Sequence, residues 1–132
     1  MVYLLDTNIC IYIANRHPSA VVSRLEMLRP GDVGMSIVTY LELVNGAWKS
    51  RPKQDNLAKV QELSRLIPVQ PLDTAVAEHY GRIRSELERK GSPIGAYDLL
   101  IAAHALSLDR TLVTNKLREF ACVKGLRVEN WT

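Results

Sequence analysis

The chain opens with Val2-Tyr3-Leu4-Leu5-Asp6, a short apolar run that ends at an aspartate. Continuous apolar runs of this length are typical of strands that are buried on both faces of a parallel sheet. Thr7 or Asn8 is well placed to cap a helix that continues through residues 9–13. The segment therefore predicts a buried strand that leads directly into a helix.

The same order of strand and helix continues along the chain. A strand at 33–36 precedes a helix from 37 to about 48, which Ser36 is placed to cap. A brief strand around Val69 precedes a long helix at 74–90, with Asp73 suited to begin it and Gly91 to end it. Further helices are predicted at 20–28, 57–67 and 97–108, and further strands at 111–114 and 126–128. This alternation predicts an α/β fold, an α/β/α sandwich with a central, mostly parallel sheet, formed by residues 1–132 as a single domain.

The bulk composition is that of an ordinary soluble globular protein. Hydrophobic residues make up 47% of the 132 residues and charged residues 23%, which argues against a disordered or fibrous chain. No apolar run approaches the roughly 20 residues that a membrane span requires. The N-terminal segment lacks the features of a secretory signal, so we expect a cytoplasmic protein. The formal net charge of +3 suits a polyanionic partner but is shared by many unrelated proteins.

The two cysteines, Cys10 and Cys122, indicate no metal site. Both stand in apolar surroundings, and neither has a second cysteine or a histidine at the spacing of a zinc site. Free cysteines in such surroundings usually behave as small hydrophobic residues. We therefore expect two buried free thiols and no disulfide framework.

Three acidic residues are expected to share one edge of the predicted sheet. Ligands of an open α/β sheet bind beyond the carboxyl ends of its strands. Asp6, Ser36 and the pair at 114–115 close predicted strands, while Glu42 and Asp98 lie near the starts of helices that face the same edge. The pattern predicts a pocket that contains the three carboxylates.

Such a cluster predicts a divalent cation. Carboxylates held a few ångströms apart repel each other unless a proton or a cation neutralises them. An all-oxygen ligand set favours Mg²⁺ or Mn²⁺ over zinc, and such ions support phosphodiester hydrolysis without a covalent nucleophile. Taken singly, each acid has a structural alternative: Asp6 as a helix cap, Glu42 as an exposed helix residue, and Asp98 as an acid favoured at a helix N-terminus.

Four blocks of the sequence resemble one known family. They are LDTN at 5–8, SIVTYLEL at 36–43 with Gly46 and Ala47, IGAYDLLIAAHA at 94–105, and LVTN at 112–115 with REF at 118–120. In content, order and spacing these blocks resemble the PIN-domain toxins of the VapC family, over essentially the whole chain. The resemblance implies a PIN-like sandwich, an endoribonuclease that needs Mg²⁺ or Mn²⁺, a VapB-type antitoxin protein as inhibitor, and a homodimer.

The resemblance also implies roles for individual residues. Asp6, Glu42 and Asp98 match the metal-binding and catalytic acids. The side chains expected to orient them are those of Thr7, Asn8, Ser36, Thr114, Asn115 and Glu119. The sequence departs from the family where many members carry a further acid in the fourth block, because Asn115 and then Lys116 follow Thr114 here. Asn115, Glu119 and water remain alternatives for a fourth ligand.

The resemblance further implies tRNA as the substrate, with the anticodon loop of initiator tRNA as the leading candidate. Candidate phosphate contacts are Lys49, Arg51, Lys53, Arg82, Arg84, Lys116 and Arg118. Each of these cations is equally typical of a solvated helix face. The three histidines share no spacing, so we expect ordinary packing or surface positions for them.

Two other classes of protein compete with the nuclease interpretation. A haloacid dehalogenase type of phosphatase also has an aspartate at the end of its first strand, but it needs a second aspartate at the position that Asn8 occupies. A binding domain without enzymatic activity would use the three acids only as caps and surface charges. Stabilisation by Mn²⁺ distinguishes a true carboxylate site from such a domain.

Overall fold

A central five-stranded parallel sheet organises the protein. The computed structural model describes residues 1–132. The strands are β1 (Tyr3–Leu5), β2 (Val33–Ser36), β3 (Val69–Gln70), β4 (Thr111–Val113) and β5 (Val128–Glu129). Their spatial order is β3-β2-β1-β4-β5, and every neighbouring pair is parallel. The predicted parallel sheet is confirmed, with β1 at its centre.

Seven helices connect and cover the strands. They are α1 (Thr7–Asn15), α2 (Ser19–Glu26), α3 (Ile37–Lys49), α4 (Lys53–Leu66), α5 (Ala75–Lys90), α6 (Ala96–Leu108) and α7 (Leu117–Ala121). The short α7 was not expected, and the last strand begins at Val128 instead of Leu126. None of these helices has the length and apolar character that crossing a membrane requires.

The cap of α1 decides between two expectations from the sequence, one for Asp6 and one for Thr7 or Asn8. Asp6, and not Thr7 or Asn8, is the N-cap residue, and its side chain accepts a hydrogen bond from the Ile9 N–H. Ser36 caps α3 as expected. At α5 the N-cap position falls on Thr74, although the Asp73 carboxylate still accepts from the Ala75 N–H.

Apolar side chains fill both sides of the sheet, as its parallel strands require. Successive residues of a strand point to opposite faces, so Leu4 packs with Ile83 of α5 and Ile101 of α6. Leu5 lies on the other face, in the same cluster as Ile9 of α1 and Leu63 of α4. The architecture is therefore the predicted sandwich of helices around a sheet.

The two cysteines have different surroundings. Cys10 is buried, and burial raises the pKa of its thiol, which makes the thiolate unfavourable. Cys122 is exposed, so the expectation of a second buried thiol is wrong. The unexpected helix α7 explains the difference, because it points Phe120 into the core and leaves the chain at Cys122 on the surface.

The register of the central strands determines where the polar residues lie. Leu5 is level with Met35 of β2 and with Val113 of β4. The next residue on each strand is polar, so Asp6, Ser36 and Thr114 share one edge of the sheet. All three are buried. The carboxyl edge of the sheet is thus lined by a carboxylate and two hydroxyl groups.

Candidate active site at the carboxyl edge of the sheet

Asp6 is the buried centre of this edge. Its Oδ1 accepts a hydrogen bond of 3.0 Å from the Ile9 N–H, and only 2% of the residue is exposed. Burial raises the pKa of its carboxyl group, and the negative charge of Asp98 raises it further. Hydrogen bonds from Thr114 and Ile9 and the charge of Lys116 act in the opposite direction but do not cancel the shift. The ionised form of Asp6 therefore lacks sufficient positive charge in its surroundings.

Asp98 lies beside Asp6 and is paired with a lysine. It belongs to the first turn of α6, and its side chain is 17% exposed. The Lys116 ammonium donates a hydrogen bond of 3.0 Å to Asp98 Oδ2. Partial burial lowers the pKa of Lys116, but the hydrogen bond and charge of Asp98, with Glu119 and Asp6, raise it overall. Lys116 is consequently held in its charged form among acidic groups.

Glu42 approaches the same edge from α3 through a pair of threonines. The Thr7 hydroxyl donates a hydrogen bond of 2.6 Å to Glu42 Oε1 and lies 3.2 Å from the Thr39 hydroxyl. Thr7 follows Asp6 directly, so Glu42 is linked to the end of β1 by one side chain. Thr39 was not among the residues predicted from the sequence to lie at the site, although it precedes Glu42 by one turn on the same face of α3.

The three acids approach one another without forming a complete metal-binding set. Asp6 and Asp98 are close enough for the charge of one to shift the pKa of the other. No three Asp, Glu, His or Cys side chains are arranged to hold a metal ion together. Two of the three acids have hydrogen-bond partners: the Lys116 ammonium donates to Asp98, and the Thr7 hydroxyl donates to Glu42. Asp6 and Asp98 are therefore close neighbours, while Glu42 is hydrogen-bonded to Thr7, the residue that follows Asp6.

Most of the other side chains expected to orient the acids lie at this edge. The Ser36 hydroxyl accepts a hydrogen bond of 3.1 Å from the Val38 N–H, and Thr114 Oγ1 accepts one of 2.9 Å from the Lys116 N–H. Both hydroxyls therefore fix the backbone of the segments that leave β2 and β4. Glu119 is exposed on α7, and its negative charge contributes to the raised pKa of Lys116.

A chain of amide and phenol groups closes one side of the site. Asn8 Nδ2 donates to Asn115 Oδ1 at 3.3 Å, and Asn115 Nδ2 donates to the Tyr12 hydroxyl at 2.8 Å. Both hydrogen-bonding ends of the Asn115 amide are therefore in use. This pairing ties α1 to the end of β4 and makes Asn115 a poor candidate for a fourth ligand in this arrangement.

His104 supports the carboxyl edge through a contact with Ser36. Its ring is buried, and Nδ1 lies 2.7 Å from Ser36 Oγ. Burial lowers the pKa of His104. This effect outweighs a hydrogen bond with the Pro71 backbone and the negative charge of Asp73, which both raise the pKa. The neutral ring therefore positions the hydroxyl that caps α3. Nothing in the spacing of the histidines predicted this contact, since it joins residues 68 positions apart.

The contact predicts a pH effect that His104→Asn should reduce. Because the pKa of His104 is lower in the folded than in the unfolded state, its contribution to stability is complete above the unfolded value of about 6.5 and is lost as the pH falls through the folded value. The free energy of unfolding of the wild type should fall between pH 7 and pH 5 more steeply than that of His104→Asn. At pH 7 the variant should be less stable by about 1–3 kcal/mol. Urea unfolding at both pH values measures both effects.

The control for this prediction is His17→Asn, which removes an exposed imidazole. Equal pH slopes for the wild type and His104→Asn would contradict the role assigned to the buried ring. A steeper slope for His17→Asn than for His104→Asn is expected.

The predicted phosphate contacts do not form a single cluster. Lys116 contacts Asp98, and the exposed Arg118 follows it on α7. The cations at 49, 51 and 53 lie around the turn between α3 and α4, at the end of α3 opposite to Ser36, and the Lys53 ammonium stands 4.1 Å from the centre of the Trp48 ring. The cations at 82 and 84 form ion pairs with Glu86 and Glu88 along α5. Lys116 is thus the one of these cations that contacts an acid of the site.

Comparisons with known proteins agree with this geometry. A family model described as the PIN domain matches residues 3–123. A protein of Shigella flexneri named tRNA(fMet)-specific endonuclease VapC is 44% identical over 130 residues, which cover 98% of each chain. A protein of Rickettsia felis named ribonuclease VapC2 is 39% identical and covers 99% of this chain and 98% of its own length.

Solved structures show the same similarity in three dimensions. A chain in a crystal structure of DNA-bound VapBC from Salmonella typhimurium superposes with a TM-score of 0.94 and 40% identity, and the match covers 100% of this chain and 99% of that one. A chain of VapBC2 from Rickettsia felis, bound to a promoter DNA fragment, gives a TM-score of 0.92 and 38% identity over the full length of both chains. Sequence and fold therefore agree on the same relatives.

Proposed function

The chain belongs to the PIN-domain family of VapC ribonucleases, and from this premise we propose that it is the toxin of a toxin–antitoxin pair, a Mg²⁺- or Mn²⁺-dependent endoribonuclease that acts on tRNA. The observation that carries the proposal is the buried carboxyl group of Asp6 beside Asp98 at the carboxyl edge of three parallel strands. A buried pair of acids is costly for the fold unless a cation offsets it. Functional sites are where such costs are retained.

The donor chemistry of the edge supports a hard divalent cation. The candidate ligands Asp6, Asp98 and Glu42 all offer oxygen atoms, the donors that hard ions prefer. Asp6 and Asp98 would hold the ion, and Glu42 would join them by exchanging its hydrogen bond with Thr7. When bound, Mg²⁺ or Mn²⁺ supplies the positive charge that activates water and offsets charge on a leaving oxygen. The residues present therefore fit the ion in chemistry, and two of them also hydrogen-bond to Thr7 and Lys116.

The protein's own part in the reaction is to prepare this edge. The Ile9 N–H and the Thr114 side chain keep Asp6 oriented, and Ser36 fixes the start of the helix that carries Glu42. Burial of Asp6 lowers the local dielectric constant, so electrostatic interactions at the edge are stronger than in water. Positioning of this kind is the main contribution that a protein makes to phosphodiester cleavage by water.

The proposed substrate is tRNA, with the anticodon loop of initiator tRNA as the first candidate. The support is the activity named for the Shigella flexneri relative, together with the partly exposed Lys116, which contacts Asp98, and Arg118, which is exposed on α7. Sequence-specific proteins usually recognise RNA in loops, where unstacked bases are accessible. In this proposal Lys116 and Arg118 contact phosphates of the RNA.

The proposed partner is a VapB-type antitoxin protein, and the proposed assembly contains two copies of this chain. Support for the antitoxin comes from the solved relatives, whose structures are of VapBC complexes from Salmonella typhimurium and Rickettsia felis. An inhibitor that covers the carboxyl edge would prevent access of RNA to Asp6. The activity must accordingly be measured on protein purified free of its antitoxin.

The test is cleavage of two synthetic tRNAs, initiator and elongator methionine tRNA, with Mg²⁺, Mn²⁺ or EDTA. We expect cleavage with either cation, none with EDTA, and a preference for the anticodon loop of the initiator tRNA. Unchanged cleavage in EDTA would refute the metal dependence. Equal cleavage of both tRNAs would refute the initiator preference and leave the ribonuclease activity in place.

A further inference from the structure

Lys116 is the one cation in contact with a predicted metal-binding acid. Its ammonium donates to Asp98 Oδ2 at 3.0 Å, and the charges of Asp6 and Glu119 also act on it. We propose that Lys116 competes with the divalent cation for the Asp98 carboxylate and so sets the metal affinity of the free protein. The inference rests on the proposed function, because it concerns the same carboxylates.

The backbone around Lys116 is fixed, so its side chain is directed at the edge of the sheet. The Lys116 N–H donates a hydrogen bond of 2.9 Å to Thr114 Oγ1, and Thr114 is fully buried at the end of β4. The lysine side chain is 36% exposed and its partner only 17%. The pair therefore lies at the boundary between solvent and the buried Asp6. It is not one of the fully solvated surface pairs, which contribute little.

A divalent cation and the Lys116 ammonium cannot occupy Asp98 together without a cost. Two positive charges a few ångströms apart repel each other, and the repulsion is stronger at a partly buried site than in water. An ammonium group has three donors and no acceptor, so Lys116 cannot act as a ligand itself. Binding of the ion to Asp98 would then weaken the ion pair and favour movement of Lys116 towards solvent.

Lys116 acts on both acids of the edge. The Lys116 ammonium is hydrogen-bonded to Asp98, and its positive charge also lowers the pKa of Asp6. Lys116 thus offsets negative charge at this edge of the metal-free protein, as a divalent ion would. The consequence is a weaker affinity for the ion than the carboxylates alone would give.

The test is Mn²⁺ binding to metal-free protein without RNA, measured by isothermal titration calorimetry with MnCl₂. Lys116→Met removes the ammonium and keeps a side chain of similar length. We expect its dissociation constant for Mn²⁺ to be lower than that of the wild type, on the order of tenfold. Lys116→Arg retains the charge and should bind Mn²⁺ like the wild type. Lys124→Met, at an exposed lysine beyond α7, controls for the loss of one positive charge from the whole protein.

The outcomes separate this inference from the proposed function. Equal affinities for the wild type and Lys116→Met would overturn the competition while leaving the metal site intact. An equal gain in affinity for Lys124→Met would also overturn it, because the effect would then be one of net charge. Absence of Mn²⁺ binding in all four proteins would overturn the proposed function and this inference together.

Discussion

Asp98→Asn is expected to abolish metal-dependent RNA cleavage while the protein remains folded. Asparagine keeps the size of the side chain but removes the charge that would hold the ion. Loss of a hydrogen-bond partner of a metal ligand typically costs 10- to 100-fold, so loss of the ligand's charge should cost at least roughly 100-fold in rate. Lys116 is partly exposed and stays hydrated without its partner, so the fold should tolerate the change. Initial cleavage rates in Mn²⁺ measure the effect, and circular dichroism checks the fold.

Asp109→Asn is the matched control. Asp109 lies at the opposite end of α6, and its side chain is 83% exposed. Its backbone has a positive φ of 53°, which asparagine adopts more readily than most residues. This variant should cleave RNA at the wild-type rate. Cleavage by Asp98→Asn within a few-fold of Asp109→Asn would contradict the assignment of Asp98.

Asp6→Asn is expected to have opposite effects on the protein without and with metal. The pKa of Asp6 is raised in the folded state, so its favourable contribution is present below the unfolded value of about 3.9 and is lost as the pH rises through the folded value. At neutral pH the ionised, buried carboxylate therefore destabilises the metal-free fold. Asparagine carries no charge and caps a helix about as well as aspartate, so the variant should be more stable than the wild type without metal.

With Mn²⁺ the order should reverse. The wild type should gain about 2.7 kcal/mol of stability when free Mn²⁺ is 100 times its dissociation constant, because the ion binds only the folded state. Asp6→Asn should gain close to nothing, since a neutral amide replaces a charged ligand in the most buried position of the site. Urea unfolding of both proteins, with and without MnCl₂, measures the four free energies. An equal gain in both proteins would show that the ion binds somewhere else.

The carboxyl edge of the sheet could be predicted from the sequence because its signals are local. Each central strand is a short apolar run that stops at a polar residue, namely Asp6, Ser36 or Thr114. Parallel strands in register bring such residues to one edge without further information. The family resemblance added the expected roles of Glu42 and Asp98.

Contacts between distant side chains could not be predicted in this way. The pairing of Lys116 with Asp98, the bond from Thr7 to Glu42 and the contact of His104 with Ser36 depend on how elements pack and on which rotamers result. No periodicity in the sequence encodes them. The prediction of a pocket with three carboxylates did not specify that Lys116 and Thr7 hydrogen-bond to two of them.

Local rules gave two interpretations of Asp6 and missed one helix. Asp6 is predicted as a ligand and, alternatively, as a helix cap; it is the cap of α1, and it also lies at the proposed metal site. One carboxylate has two oxygens, so Oδ1 can accept from the Ile9 N–H while the group still offers negative charge. The five-residue α7 was missed because so short a segment shows no helical period.

The most direct test of the metal-site proposal is anomalous diffraction from crystals of this protein grown with MnCl₂. The account predicts an anomalous peak at the carboxyl edge of the sheet, about 2.0–2.4 Å from carboxylate oxygens of both Asp6 and Asp98, with Lys116 moved away from Asp98. A map with no peak at that position, from protein that cleaves RNA in the same Mn²⁺ solution, would contradict it.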